Sequence, residues 1–488
     1  MLNSRFLHGE TWGLPGAAVE HVETHAAHVF LCGDRAFKIK KDVKLPYLDF
    51  STVELRRAVL QRELEINRSF APDIYITLIE AEGEPVLVMK RFAAESALSW
   101  RVNHGGIDDQ LSAALAKTVA ESHRIAPRAK EPGADIMAGL GSQLSKAFTA
   151  SPDLFPGPAA NEFNASYKIA LGNLKPLLNQ RGEIGLVRRC HGDIHCANIV
   201  VLDGRPVLFD AIEFSEKIGT IDVLYDLAFL IMDLLRHGQS RAANLVLNRY
   251  LHLRRTEEDI SGLRAFPLFL ATRSGVRALV TADLVHELPV SEGSKYSNTT
   301  HDYFQATLEF LKPAEAQLIC VGGLSGTGKS TLTAALSPTT GPAPGAIHIR
   351  SDVERKVLAG VAESERLGPE HYSPSNSLKV YEALFDRANR ALTAGRAVVI
   401  DAVFAHESER NAAESLARRR GVSFRGLWLQ ARPEILKARV TLRFGDASDA
   451  TPEVIDAQLG YDLGNMAWTG IDASGSPEEV LARVMRLR

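Results

Sequence analysis

The chain has 488 residues, 45% hydrophobic and 24% charged, with a formal net charge of -3. Those values describe a globular chain long enough for two to four domains, without the charge excess that pulls a protein onto nucleic acid or an anionic membrane. The four cysteines, Cys32, Cys190, Cys196 and Cys320, show no CxxC spacing, which argues against a disulfide framework or a zinc site and fits a reducing, cytoplasmic setting. The opening MLNSRFLHGETWGLPG lacks the basic-then-apolar pattern of a secretory signal. The most apolar window, YDLAFLIMDLL, is short and carries aspartates, so no membrane span is expected.

In chain order, HVFLCGDRAFKIKK reads as two short strands around a Gly33-Asp34 turn. Ser51 with Glu54 three residues on forms a capping-box pattern, opening a helix through LRRAVLQRELEINRSF. Leu55, Val59 and Ile66 read as its apolar face, and Glu63 falls on the same side. A carboxylate placed there needs a partner. From about 110 to 185 the pattern is helical, with breaks at Pro127, Pro132 and PDLFPGP. IVVL and PVLF then flank Asp203-Gly204, a two-residue hairpin signal. Further helical patterns run from about 221 to 311 and end at Lys312-Pro313. Near 317 the character changes to strand, glycine loop, helix and strand, the pattern of an α/β domain.

The first chemical constellation lies around that hairpin. Asp193 is followed five residues later by Asn198, and the returning strand ends at Asp210, so the hairpin brings all three to one end. Phosphoryl transfer requires such a set. One carboxylate accepts the proton of the attacking hydroxyl, and an amide oxygen with a second carboxylate holds Mg²⁺ against the nucleotide phosphates. The Asp193–Asn198 interval equals that of the kinase catalytic loop. A strand lysine for the phosphates and a helix glutamate to hold it are also needed. AFKIKK offers Lys38 and Lys40 on one face. Lys38, following Phe37 as the lysine of VAIK follows its isoleucine, is preferred, and Glu63 is then its partner.

These residues resemble the aminoglycoside phosphotransferase family over roughly 20–310, with HGDIHCANIV the most specific stretch. The resemblance implies a bilobal, protein-kinase-like fold. It makes Asp193 the catalytic base and Asn198 and Asp210 the metal ligands, with His195 supporting the loop and Asp222 and Asp226 as stabilising acids. Gly192 stands where protein kinases have arginine. Asp210 precedes Ala-Ile rather than Phe-Gly, and no GxGxxG precedes the lysine strand. These departures favour a small-molecule kinase over a protein kinase.

The second constellation is QLICVGGLSGTGKST. It holds a complete GxxxxGK[ST] pattern, from Gly323 through Ser325, Gly326, Thr327 and Gly328 to Lys329 and Ser330, with Thr331 following, between a strand and a helix. The glycines let backbone N–H groups wrap phosphates, Lys329 reaches the β/γ-phosphates, and Ser330 ligates Mg²⁺. Asp352 lies just beyond a second strand and Asp401 ends a third. Arg439 and Arg443 are four apart on a helix. This segment resembles the small P-loop kinases of the gluconate kinase, shikimate kinase and zeta-toxin type. The resemblance implies a three-layer α/β/α fold with a parallel sheet. Asp352 becomes the acceptor-binding residue or base, Asp401 the Walker B carboxylate at the metal, and Arg443, with Arg439, the lid arginine. An alternative is that Asp352 only caps the following helix. ATP is favoured over GTP because no NKxD-like signature occurs.

The expectation is therefore a two-domain chain. Residues 1–312 form a phosphotransferase-like domain (small lobe to about 95, helical large lobe 96–312), and 313–488 form a P-loop kinase domain. Each would use ATP and Mg²⁺ to phosphorylate a hydroxyl of a small molecule such as a sugar or amino sugar, with no nucleic-acid or membrane partner. Two rival readings remain: a P-loop domain that regulates a single kinase, and a kinase for nucleic-acid 5′-hydroxyls. Glu213 and Glu216 are also candidates to receive a cationic amino sugar.

Overall fold

The computed structural model describes residues 3–24, 26–45, 48–442 and 448–487. The chain divides into two compact units. One comprises Met1–Ala147, Leu171–Ala242 and Thr272–Val276; the other comprises Phe148–Ala170, Ala243–Ala271 and Arg277–Arg488.

The first unit carries an antiparallel five-stranded sheet in the order Val19–Glu23, Ala27–Cys32, Arg35–Lys40, Glu84–Lys90, Tyr75–Ala81. Gly33 turns the chain between the second and third strands with φ 58°, a left-handed value that glycine adopts without strain. Alternation along Arg35–Lys40 sorts its side chains. Phe37 and Ile39 join Phe6, Trp12, Phe30 and Val88 in a core on one face, while Lys38 and Lys40 turn to the other. On that other face Leu87 packs with Leu60 and Leu64 of the helix Val53–Phe70, and with Val200 of the later hairpin.

The start and face of this helix differ from expectation. Thr52, not Ser51, is the N-cap, its hydroxyl accepting from Leu55 N at 3.3 Å. Ser51 is instead held by Asp49, whose Oδ1 takes both the Ser51 hydroxyl (2.6 Å) and its N–H (3.1 Å). The buried face is Leu60, Glu63, Leu64 and Asn67, whereas Leu55 is exposed. The face is rotated toward the polar residues because their side chains bond inward.

The second unit carries a parallel five-stranded sheet in the order Ile347–Arg350, Val398–Asp401, Gln317–Gly323, Ser423–Gln430, Thr469–Asp472. Ile319, Val321, Val399, Leu427 and Ile471 pack with Leu332 and Leu336 from the helix Lys329–Leu336 and with Val480 and Val484 from the helix Pro477–Met485. Purely parallel sheets bury both faces, and the near-continuous apolar strands reflect this.

Residues 243–271 belong to this second unit. Asn248 Oδ1 accepts from His348 N at 2.8 Å and its Nδ2 donates to Ala346 O at 3.2 Å. Asn244 Nδ2 donates to the same Ala346 carbonyl at 3.0 Å. Arg249 Nη1 pairs with Glu363 at 2.6 Å, and Arg255 Nη1 with Glu354 at 2.8 Å. The two asparagines serve the edge strand that leads to Asp352, and Arg255 reaches the helix that follows it. Among the described residues, no helix is long and apolar enough to cross a membrane. Replacing Asn248 with Ala leaves the His348 N–H without its acceptor, while Ala346 O keeps Asn244, and is expected to cost about 1 kcal/mol. A denaturation midpoint within about 0.3 kcal/mol of wild type would show that water replaces the amide without loss.

Candidate active sites

The first candidate site is built around the loop 191–198. This loop leaves the strand Val187–Arg189 and enters the hairpin strand Ile199–Leu202. Its glycine has a structural reason. Gly192 has φ 86°, and a Cβ there would meet Ile212 Cδ1 at 3.1 Å. The Gly192 N–H donates to Asp226 Oδ1 at 3.0 Å. His191 is buried. Its Nδ1 accepts from Asp193 N at 3.3 Å, so Nε2 carries the proton toward Phe209 O at 3.0 Å. Burial pushes the His191 pKa down, in keeping with a neutral ring that braces the loop.

Asp193 and Asn198 are directly bonded. Asn198 Nδ2 donates to Asp193 Oδ2 at 2.8 Å and to Asp193 O at 3.1 Å. That orientation commits the nitrogen and makes the amide oxygen the group available to a cation. His195 accepts from Ala197 N through Nδ1 at 3.2 Å and places Nε2 3.4 Å from Asp193 Oδ2. Burial alone would raise the Asp193 pKa, but the His195 bond and charge hold it at about 2.

The hairpin delivers Asp210 to the same end: Phe209 N donates to Asn198 O at 3.0 Å. Asp210 sits at φ 61°, strained for a residue with a Cβ. Its N–H is received by Tyr75 Oη at 3.0 Å, and the next N–H, of Ala211, by Asn67 Oδ1 at 2.8 Å. Lys38 Nζ lies 2.7 Å from Glu63 Oε1 and 2.9 Å from Asp210 Oδ1. Lys40 Nζ lies 2.7 Å from Glu63 Oε2 and 2.7 Å from Glu213 Oε1. Both lysines therefore reach the helix glutamate, but only Lys38 also reaches Asp210. Burial opposes ionisation of Glu63 and Asp210, and the neighbouring ammonium groups outweigh it, so both carboxyls stay below their ordinary range. Hard oxygen donors from Asp210 and Asn198 suit Mg²⁺ in kind.

Several acids prove to be scaffold. Asp222 is held by Arg181 (2.6 and 2.8 Å) and caps the helix Val223–Arg236 through Leu224 N at 2.8 Å. Asp226 receives Gly192 N and lies 3.2 Å from His123 Nε2. Asp233, which the sequence reading passed over, receives Cys196 N at 2.8 Å. Seven residues apart on one helix face, Asp226 and Asp233 suspend both ends of the 192–196 loop. Glu213 and Glu216, considered for a cationic acceptor, are already engaged: Glu213 by Lys40, and Glu216 by Arg62 and by Arg189 at 2.9 Å.

The second candidate site lies where the strand Gln317–Gly323 turns into the helix Lys329–Leu336. Gly323, Gly326 and Gly328 all have positive φ, and a Cβ on Gly326 would strike Leu436 O at 2.6 Å. Lys329 Nζ donates to Leu324 O at 3.1 Å across the loop. Thr327 is buried and its hydroxyl donates to Leu324 O at 2.7 Å, so that side chain shapes the loop. Ser325 N donates to Gln458 Oε1 at 2.8 Å, a partner with no sequence signal. A cavity of about 330 Å³ adjoins the loop, lined by Gly326, Gly328, Thr331, Arg439, Ala473 and Gly475.

Asp401 ends its strand, buried, and Arg350 lies 3.5 Å from it through Nε. Arg350 Nη2 donates to Ser330 Oγ at 3.2 Å. A guanidinium thus stands between the hydroxyl and the carboxylate that the sequence assigns to the metal. The hydroxyl and carboxylate are hard oxygen donors of the kind that suits Mg²⁺, and a cation bound there would have to displace Arg350 from between them. Asp352 occupies the first turn of the helix Ser351–Ala359, whose N-cap is Arg350, so it is not the N-cap residue. Burial and the Asp401 charge push its pKa up against Arg350 and Lys329. Arg439 clasps the carbonyls of Ala473 (2.8 Å), Ser474 (3.4 Å) and Gly475 (2.9 Å), a structural use. Arg443 and its neighbours lie outside the described residues.

Comparisons with known proteins agree with the two architectures. Residues 56–266 match the family model of the phosphotransferase enzyme family, and 318–461 match that of an AAA domain. The chain carries an aminoglycoside-phosphotransferase-like domain fused to a P-loop NTPase domain, and thus a recognisable kinase domain. An uncharacterized protein of Mycobacterium tuberculosis is 28% identical over 486 residues, covering 95% of this chain and 94% of the relative. Among solved structures, a choline kinase from Cryptosporidium parvum aligns over 64% of this chain and 91% of its own, at 12% identity and TM-score 0.42. A gluconokinase from Sinorhizobium meliloti aligns over 35% and 93%, at 20% identity and TM-score 0.26.

An Asp193 carboxyl held at about 2 is ionised at working pH. Because its folded pKa is depressed, its ionised form stabilises the fold above about pH 4. That contribution is lost as pH falls toward about 2. ATP-dependent turnover at this site is expected to show no acid limb from Asp193 above about pH 5, and His195→Phe should move the limb up by about one pH unit. An unmoved profile in the variant would mean that His195 does not set the ionisation of Asp193.

Proposed function

We propose that the protein is a bifunctional, ATP-dependent phosphotransferase, in which each domain transfers the γ-phosphoryl group of ATP to a hydroxyl of a small molecule. The observation that carries this reading is the pair of clusters just described, each joining a lysine, carboxylates and oxygen donors at the end of a strand. The domains are taken as 1–312 and 313–488, and the setting as cytoplasmic.

In the first site Asp193 is the base that receives the acceptor hydroxyl proton, and His195 and Asn198 fix its orientation. Lys38, held by Glu63, contacts the nucleotide phosphates. Asn198 and Asp210 would hold Mg²⁺. In the second site the loop Gly323, Ser325, Gly326, Thr327 and Gly328, with Lys329 and Thr331, cradles the phosphates, and Ser330 and Asp401 would hold the metal. Asp352 orients and deprotonates the acceptor; its raised pKa suits a group that must take up a proton. Arg443 is assigned to the transferred phosphoryl group by the resemblance to small P-loop kinases. When bound, Mg²⁺ supplies neutralisation of phosphate charge, and the remaining catalysis is positioning and fixed charge. Small sugars, amino sugars and polyols are the first acceptors to try.

The test is an ATP-consumption screen against such acceptors on wild type, Asp193→Ala and Lys329→Ala. Each substitution should lower one activity by about a thousandfold and leave the other intact. If Lys329→Ala only alters the kinetics of a single activity, the P-loop domain is regulatory. If neither substitution lowers any turnover found in wild type, both assignments are wrong.

A further inference from the structure

Lys40 has no role in the reading above, yet it is the more deeply buried of the two strand lysines. Its side chain is 5% exposed, against 13% for Lys38. Two carboxylates engage its ammonium, Glu63 Oε2 and Glu213 Oε1, each at 2.7 Å. The ring of Phe50 lies 5.5 Å from the nitrogen. Enclosed in this way, Lys40 is poorly placed to meet a phosphate. Lys38 is placed differently: it shares its ammonium between Glu63 and the partly exposed Asp210.

Glu63 has no solvent exposure, and its two oxygens are divided between the two lysines. A buried carboxylate without a cation gives up its charge or its place. Under the proposed function, Lys38 and Asp210 turn their charges toward the nucleotide and its cation when these bind. Glu63 must stay ionised and fixed through that change if it is to aim Lys38. Lys40 supplies a second charge that the nucleotide does not draw on.

We propose that Lys40 is a positioning residue for the first site: anchored by Glu213, it holds Glu63 ionised and in place, so that Lys38 stays aimed at the triphosphate. This rests on the assignment of Lys38 to the nucleotide. The Glu213 carboxyl is three residues beyond Asp210, so the same ladder ties the lysine strand and the helix Val53–Phe70 to the segment that carries Asp210. Asn67 adds a parallel tie through Ala211 N at 2.8 Å.

The test uses the full chain carrying Lys329→Ala, which weakens triphosphate binding at the P-loop site. Binding of Mg²⁺ with a non-hydrolysable ATP analogue is titrated beside binding of adenosine, which has no phosphates. Lys38→Met should weaken the analogue. Lys40→Met should weaken it about tenfold while adenosine binding is unchanged. Lys40→Arg should restore most of the affinity. Glu213→Gln added to Lys40→Met should recover part of it, because one buried carboxylate fewer is left without a cation. If Lys40→Met does not fold, as judged by circular dichroism, Lys40→Gln carries the same comparison.

Two results would overturn the proposal while Lys38→Met still weakens the analogue: a Lys40 variant that binds the analogue as tightly as its parent, or one that loses adenosine and analogue equally. No effect of Lys38→Met would instead overturn the first-site assignment itself.

Discussion

The first site depends on a carboxylate that water does not reach. Glu63 has no exposed surface, and an unpaired charge there would cost several kcal/mol. The chain meets that demand with alternation. Because strand side chains switch face at every residue, Phe37 and Ile39 enter one core while Lys38 and Lys40 reach the helix on the other side. Helix, strand and the Asp210 segment are thereby joined by charges, and the position of Lys38 follows from those pairings. The strained Asp210 backbone is sustained in the same way, by Tyr75 Oη and Asn67 reaching across to consecutive N–H groups.

The P-loop site meets a similar demand differently. Its loop turns at the positive-φ glycines Gly323, Gly326 and Gly328, with a guanidinium between Ser330 and Asp401. The edge strand that carries Arg350 is bonded by Asn244 and Asn248. Both asparagines lie inside the stretch matched by the phosphotransferase family model. Packing nevertheless places them in the same compact unit as the edge strand they bond.

Much of this was legible in the sequence because it rests on short-range rules. The two hairpins follow from Gly33-Asp34 and Asp203-Gly204, and the closure of Asp193, Asn198 and Asp210 follows from the second hairpin. The phosphate loop is a contiguous pattern. What escaped depends on contacts distant in sequence. Ser51 and Thr52 are equivalent as caps until Asp49 takes Ser51 away. Asp226 and Asp233 read as interruptions of an apolar helix, and only the fold shows the loop N–H groups they receive. Their seven-residue spacing was the available signal. Arg350 and Gln458 have no motif at all. Arg439 has the spacing of a lid residue, but carbonyls 473–475 engage it. The membership of 243–271 in the P-loop unit could not be read from composition, since packing alone decides it.

The central claim is that one chain holds two separate nucleotide sites, each organised by its own lysine. Calorimetric titration of the full chain with Mg²⁺ and a non-hydrolysable ATP analogue tests it most directly. The account requires two equivalents bound, with Lys38→Met weakening one site, Lys329→Ala weakening the other, and the double variant impaired at both. A single equivalent, or a stoichiometry and affinity indifferent to either lysine, would contradict it.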